Sequence, residues 1–147
     1  MNIHKLYRLF LLGSFILIFS GAKPPPQEYK LTIKVSGIKK IKGNIITGMY
    51  NNNEDWLIVG KEFIKKVNQI HEVEETIIFK DLQKGKYAIS LYQDEDQDDQ
   101  IKKNIIGIPK EGYGFSNNVK PWFKAPSYKN AAFIVSNDTT IHIKLIF

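Results

Sequence analysis

The stretch "TIIFKDLQKGKYAISLY", residues 76–92, decides the fold class. Thr76–Phe79 and Tyr87–Tyr92 are rich in β-branched and aromatic side chains, which is typical of strands. The connection between them, Asp81–Gly85, is short and ends in glycine, so the stretch predicts a β-hairpin. A second hairpin is predicted near the C-terminus, where Ala132–Val135 and Thr140–Leu145 flank a Ser-Asn-Asp turn signal.

Further strands are predicted on the N-terminal side of this stretch. Leu31, Ile33 and Val35 alternate with polar residues, which indicates a strand with one buried face. Gly43–Tyr50 predicts another strand, and Lys61–Val73 favours a strand over a short helix because it is rich in β-branched residues. About seven short strands with no long helical pattern predict an all-β, antiparallel β-sandwich with one long irregular loop. Its inward residues are expected to include Leu31, Ile33, Val35, Ile141, Ile143 and Leu145.

The N-terminal residues have the pattern of a secretory signal peptide. Lys5 and Arg8 precede an apolar run over residues 9–19, and Ser20-Gly21-Ala22 supplies a small-residue cleavage site. We therefore predict a signal peptide over 1–22, a proline-rich spacer over 23–27 and the β-sandwich domain over 28–147. The mature chain is expected to be exported, periplasmic or extracellular, with no membrane span after cleavage.

The composition excludes several classes of site and partner. The 147 residues include no cysteine, so disulfides and thiolate metal sites are excluded. Removing the leader lowers the net charge from +6 to +4, with 19 basic and 15 acidic residues. Arg8 is the only arginine, and arginine is the preferred side chain for phosphate and guanine, so nucleic acid is not an expected partner. Diffuse positive charge suits weak attraction to an acidic polysaccharide or cell surface.

Five acidic residues occupy six positions at 94–99. Asp94, Asp96 and Asp98 alternate, so their carboxylates can converge on a hard cation such as Ca²⁺. The spacing does not fit an EF-hand, since Asp99 stands where the turn glycine belongs and Ile105 where the closing glutamate belongs. Two alternatives stay open: a looser calcium loop closed by a backbone carbonyl or by Glu111, and a hydrated acidic loop with no bound ion.

The acidic cluster continues into a segment rich in glycine, aromatic residues and asparagine. A long irregular excursion in a compact domain is usually functional or disordered, and this one is too apolar to extend freely into water. The candidate ligand-binding residues are Glu111, Tyr113, Phe115, Asn117 and Asn118. The two rings are either displayed to a sugar or peptide, or they plug one end of the sandwich. Trp122 is expected to anchor an edge strand.

Four segments together resemble one known family. They are "FKDLQKGKYAISLYQDEDQDDQI", "NIIGIPKEGYGFSNN", "APSYKNAAFIV" and "TTIHIKLIF". This succession resembles the secreted bacterial family of domain of unknown function 2141, over roughly residues 29–147. The resemblance implies a prealbumin- or transthyretin-like β-sandwich, whereas strand count alone also suits an Ig-like one. It implies export and no established activity. Asp99 departs from a usual glycine and Lys102 from a usual aspartate, which argues against a tight ion-binding turn in this chain.

Few residues are suited to catalysis. Only His71 and His142 remain after cleavage, and no Gly-x-Ser-x-Gly motif is present. The leading hypothesis is an exported non-enzymatic module of unknown role that binds a cell-envelope polysaccharide or protein through residues 94–118, with calcium as the candidate stabilising ion. One alternative is a hydrolase that uses loop carboxylates such as Asp96 and Glu111 on a glycan. The other is a purely structural accessory protein of the cell envelope.

Overall fold

The computed structural model describes residues 26–105, 107 and 109–147. The predicted signal peptide and most of the predicted spacer lie outside these residues. The strands are β1 (Glu28–Ser36), β2 (Asn44–Tyr50), β3 (Ile64–Gln69), β4 (Glu75–Gln83), β5 (Gly85–Asp94), β6 (Tyr113–Phe115), β7 (Phe133–Val135) and β8 (Thr139–Lys144). A 3₁₀ turn (Ser116–Asn118) follows β6, and the short helix α1 (Tyr128–Ala131) precedes β7. Within the described residues, no helix has the length and apolar character needed to cross a bilayer.

The first sheet has three strands in the order β4-β1-β8. β1 pairs antiparallel with β4 and parallel with β8, where Ile33 lies opposite Ile141. The period-two pattern of β1 places Leu31, Ile33 and Val35 on the inner face, and all three are fully buried. The predicted inward set of β1 is therefore confirmed.

The second sheet has the order β3-β2-β5-β6, with β7 paired to the first residues of β5. All of its pairs are antiparallel. β3 confirms the strand expected within Lys61–Val73. The core between the two sheets combines buried residues of both: Leu31, Ile33, Val35, Ile45, Met49, Ile77, Phe79, Leu82, Ile89, Leu91 and Ile143. The expected all-β sandwich is confirmed, with eight strands and with one parallel pair, β1–β8.

The hairpin predicted for residues 76–92 is wrong. β4 and β5 are separated only by Lys84, yet β4 pairs with β1 in the first sheet and β5 with β2 in the second. The register of β4 against β1 shifts beside Asp81, which has a left-handed φ of 59°. Such a bulge bends and twists a strand. The chain consequently crosses from one layer to the other where sequence alone predicts a turn within one sheet.

The second predicted hairpin is wrong for the same reason. β7 pairs with β5, whereas β8 pairs with β1. The intervening turn is held by the first sheet, since Asp138 Oδ1 accepts a hydrogen bond from the Lys30 backbone N–H at 2.9 Å. The Ser-Asn-Asp signal therefore marks a second passage between layers.

The long loop starts and ends on the second sheet. β5 ends at Asp94 and β6, its antiparallel neighbour, begins at Tyr113. β6 also reaches the first layer, because Tyr113 and Ile146 exchange two backbone hydrogen bonds of 2.9 and 2.8 Å. The returning chain thus joins both sheets at one end of the sandwich.

Candidate functional site

The acidic turn, residues 94–99, is organised around the Asp94 carboxylate. Asp94 lies at the end of β5 and is fully buried. Its Oδ1 accepts hydrogen bonds from the backbone N–H groups of Gln97 and Asp98 at 2.8 and 3.3 Å, and its Oδ2 from Asp99 at 3.0 Å. Gln97 and Asp99 have φ values of 62° and 60°, in the left-handed region that favours glycine. The turn therefore folds around backbone donors that converge on one carboxylate.

Glu111 ties the two ends of the loop together. Its side chain is buried, with Oε1 accepting from the Glu95 backbone N–H at 3.1 Å and Oε2 from Lys102 at 3.2 Å. Both oxygens are thus engaged by backbone donors. Glu111 was a candidate ligand-binding residue, and the structure gives it a role in closing the loop.

Three carboxylates meet at this position, but they are not the predicted three. Oxygen atoms of Asp94, Asp96 and Glu111 lie within 4.8 Å of one another. Asp98 does not belong to this group, so the predicted Asp94, Asp96 and Asp98 set is corrected. The left-handed φ values at Gln97 and Asp99 break the alternation that an extended strand would have.

Lys102 brings a positive charge to the acidic turn. Its ammonium group pairs with Asp96 and lies 3.4 Å from Asp98 Oδ2. The Lys102 side chain is about half exposed, so this pairing is partly screened by water. Lys102 therefore supplies a positive charge of the protein's own beside these carboxylates.

Tyr92 lies against the same turn. Its hydroxyl donates to the Asp99 backbone carbonyl at 3.0 Å. The pKa of Tyr92 is raised to about 12, mainly by burial and further by nearby carboxylates, of which Asp94 contributes most. The negative potential of the turn thus extends to this ring.

The aromatic residues of β6 are packed rather than displayed. Phe115 is only 7% exposed, and its ring centroid lies 6.1 Å from that of Trp56 and 6.0 Å from that of Tyr113. Tyr113 is half-buried. Between the two rings, a side chain at Gly114 would meet Ile143 Cγ2 at 2.7 Å, so glycine is needed for β6 to approach β8. Phe115 lies opposite Ser90, on the face of the second sheet turned away from the core between the sheets. Its ring is therefore buried there, neither displayed to a ligand nor plugging the end of the sandwich.

Asn117 and Asn118 serve the backbone. Asn117 Nδ2 donates to the carbonyls of Asn130 and Ala132, both at 3.0 Å. Asn118 Nδ2 donates to the His142 carbonyl at 2.9 Å, and its Oδ1 accepts from the Lys144 N–H at 2.8 Å. Both asparagines have left-handed φ values, which asparagine tolerates well. Both side chains therefore fasten the 3₁₀ turn to neighbouring backbone, and ligand binding by them stays a prediction.

Ser116 was not selected as a site residue from sequence. It is fully buried, and its hydroxyl lies 2.6 Å from the Ala131 carbonyl and 2.9 Å from the Ile89 backbone N–H. It joins β5 to α1. A single serine in a polar run carries no local signal of such a role.

A cleft opens beside these anchored residues, between β6 and β8. This β6–β8 cleft has a volume of about 300 Å³. It is lined by Gly114, Phe115, Asn118, Val119, Lys120, Lys144 and Ile146. Mostly apolar lining residues with a few polar or charged ones are the usual composition of a small-ligand site.

Two exposed aromatic rings follow the cleft-lining residues along the chain. Trp122 is 88% exposed and Phe123 95% exposed, and their centroids lie 6.0 Å apart. The expectation that Trp122 anchors an edge strand is wrong, since it lies in an irregular segment outside every described strand. The anchoring tryptophan is Trp56, whose Nε1 donates to the Pro126 carbonyl at 2.8 Å.

The histidines lie away from the acidic turn. His142 is exposed on the outer face of β8, as the alternation predicts, and His71 is exposed in the β3–β4 turn.

Comparison with known proteins identifies a family without a characterised function. A family model described as "Uncharacterized protein conserved in bacteria (DUF2141)" matches residues 33–143. This match confirms the resemblance drawn from the sequence. No curated protein and no solved structure matches the chain.

Proposed function

Because this chain belongs to the bacterial DUF2141 family, which is uncharacterised, we propose from its geometry that it is an exported, non-enzymatic binding module of the cell envelope. The ligand is an anionic polysaccharide or an acidic protein segment. The binding site is the β6–β8 cleft, which includes the last residues of the predicted 94–118 recognition loop.

The observation that carries this proposal is the composition of the cleft. Val119 and Ile146 are among its apolar lining residues, and Lys120 and Lys144 line it as well. A ligand with an apolar ring face and a carboxylate, such as a uronic acid unit or an acidic peptide, satisfies both features. The net positive charge of the mature chain favours the approach of such ligands.

A binding role is supported over hydrolysis by the state of the carboxylates. A general acid or base needs an oxygen free to exchange a proton with the substrate. Both oxygens of Glu111 accept backbone hydrogen bonds, and Asp96 pairs with Lys102. These contacts stabilise the ionised carboxylates, which disfavours a general acid at this position.

For the acidic turn we propose closure by the protein's own groups, without a requirement for calcium. The Asp94 and Glu111 carboxylates already receive five backbone hydrogen bonds. Lys102 adds a positive charge beside Asp96 and Asp98. Together these donors offset the mutual repulsion that would otherwise make a cation necessary.

The proposal of export is supported by the signal-peptide pattern of residues 1–22, which suits a periplasmic or extracellular location. N-terminal sequencing of the secreted or periplasmic product tests it, with Lys23 expected as the first residue and an intact Met1 as the contrary result.

Binding to a defined probe tests the cleft. The mature protein is titrated with an oligogalacturonate and with a neutral oligosaccharide of equal length, by calorimetry at low salt. We expect binding of the acidic oligosaccharide only, weakened at least tenfold in Lys120→Gln/Lys144→Gln. Lys65→Gln, an exposed lysine on β3 at the far edge of the second sheet, is the matched control. Equal affinity of the double variant and wild type would reject the cleft as the site.

A further inference from the structure

The segment between the 3₁₀ turn and α1, residues 119–126, carries the most exposed adjacent pair of aromatic rings in the described part of the chain. Trp122 and Phe123, the ring pair, are 88% and 95% exposed. Adjacent large apolar side chains exposed to water are a feature of protein and membrane interaction surfaces. The proposed function leaves this pair unused.

Both ends of the segment are fastened to the sandwich. On one side, Asn118 is hydrogen-bonded to the backbone of His142 and Lys144 on β8. On the other side, the Pro126 carbonyl accepts from Trp56 Nε1 at 2.8 Å. Pro121 and Pro126 also restrict the backbone between these anchors. The ring pair is therefore presented by a braced loop and not by a free tail.

The polar character of the segment selects the class of partner. Its sequence, VKPWFKAP, contains two lysines and no acidic, amide or hydroxyl side chain. Lys120 and Lys124 flank the rings and are both exposed. A positive charge on either side of two apolar rings complements a surface that is apolar inside and anionic outside. An anionic lipid bilayer has such a surface, because its interface favours tryptophan and its phosphates attract lysine.

A glycan fits the segment less well. The two rings meet edge to face, with an interplanar angle of 79°, so they do not form one flat platform for a chain of sugar rings. The segment also lacks the acceptor side chains that fix sugar hydroxyls.

We propose that the ring pair inserts into the headgroup region of an anionic bilayer while Lys120 and Lys124 contact lipid phosphates. This is peripheral attachment by a loop, and it adds a membrane-facing surface to the sandwich. It does not depend on ligand binding in the β6–β8 cleft, for which Lys144 is the separate reporter.

Vesicle binding tests the proposal with the mature chain. The protein is sedimented with vesicles of phosphatidylglycerol and phosphatidylcholine in equal parts, and with vesicles of phosphatidylcholine alone. We expect binding to the anionic vesicles and a blue shift of tryptophan emission. We also expect at least a tenfold weaker partition for Trp122→Ala/Phe123→Ala. Replacing Lys120 and Lys124 by glutamine is expected to weaken binding about fivefold per lysine at low salt.

Two controls keep the outcomes distinct. Val73→Ala removes an exposed apolar side chain at the β3–β4 turn and is expected to leave vesicle binding unchanged. Lys144→Gln is expected to alter cleft binding alone. Failure of the wild type to sediment with anionic vesicles, or unchanged sedimentation of the ring-pair variant, would overturn the proposal. The proposal would also be overturned if Trp122→Ala/Phe123→Ala lost oligogalacturonate binding while the wild type did not bind vesicles, because the ring pair would then belong to the oligosaccharide site.

Discussion

Asn118 Oδ1 accepts a hydrogen bond from the Lys144 backbone N–H at 2.8 Å, and both residues line the β6–β8 cleft. Asn118 Nδ2 also donates a hydrogen bond to the His142 carbonyl, so the side chain satisfies two backbone groups of β8. We expect Asn118→Ala to lower the free energy of unfolding by about 1 to 3 kcal/mol although the residue is exposed. Asn118→Asp keeps the acceptor and should lose less. Urea unfolding of the three proteins measures this, and equal stability of all three would contradict the bridging role.

Phe115 and Phe123 are the same residue type in opposite environments, one buried and one exposed. Phe115 is 7% exposed and Phe123 95% exposed. Phe115→Ala leaves a cavity beside Trp56 and is expected to cost about 3 to 5 kcal/mol of stability. Phe123→Ala should stay within about 0.5 kcal/mol of wild type. Thermal and urea unfolding compare the two, and a small loss for Phe115→Ala would mean that its ring is displayed.

Removal of metal tests the closure of the acidic turn. We expect the melting temperature of the purified mature protein to be the same with and without a chelator, because Lys102 and the backbone donors satisfy the carboxylates. In Lys102→Met the unpaired carboxylates repel one another, so the melting temperature should fall and added Ca²⁺ should restore part of it. A chelator-induced drop of several degrees in the wild type would show that the turn depends on a cation.

Alkaline pH tests the environment of Tyr92. Its pKa is raised to about 12 in the folded chain, chiefly by burial, from an ordinary value of about 10. The folded state therefore holds a proton that the unfolded state releases. The resulting stabilisation is fully present below about pH 10 and is lost as the pH rises toward 12. Between these values the wild type should lose more stability than Tyr92→Phe. Parallel stability curves would place Tyr92 in ordinary solvent.

The sequence predicted strands better than it predicted their partners. Alternation reports which side of a strand is buried, and it placed Leu31, Ile33 and Val35 correctly. It does not report sheet membership. The passages at Lys84 and at Ser136–Asp138 have the composition of hairpin turns, yet each joins strands of different layers. Only contacts between residues distant in sequence distinguish the two cases.

At the candidate site, local spacing was informative only where the backbone stayed regular. It brought Asp94 and Asp96 together correctly and offered Glu111 as one way of closing the loop. It failed for Asp98, because the turn contains two residues with left-handed φ. The sequence also did not show that Phe115, a candidate ligand-binding residue, is buried, or that Trp122, an expected strand anchor, is exposed. The residues that neighbour each ring in sequence do not reveal what packs against it.

We propose that the lysine-lined β6–β8 cleft is the recognition surface and that the acidic turn is structural. Amide chemical-shift mapping during titration with oligogalacturonate tests this most directly. We expect the perturbed amides to cluster around Gly114, Asn118, Lys120 and Lys144, with residues 94–99 unchanged. Perturbations centred on residues 94–99, or none at saturating oligosaccharide, would contradict it.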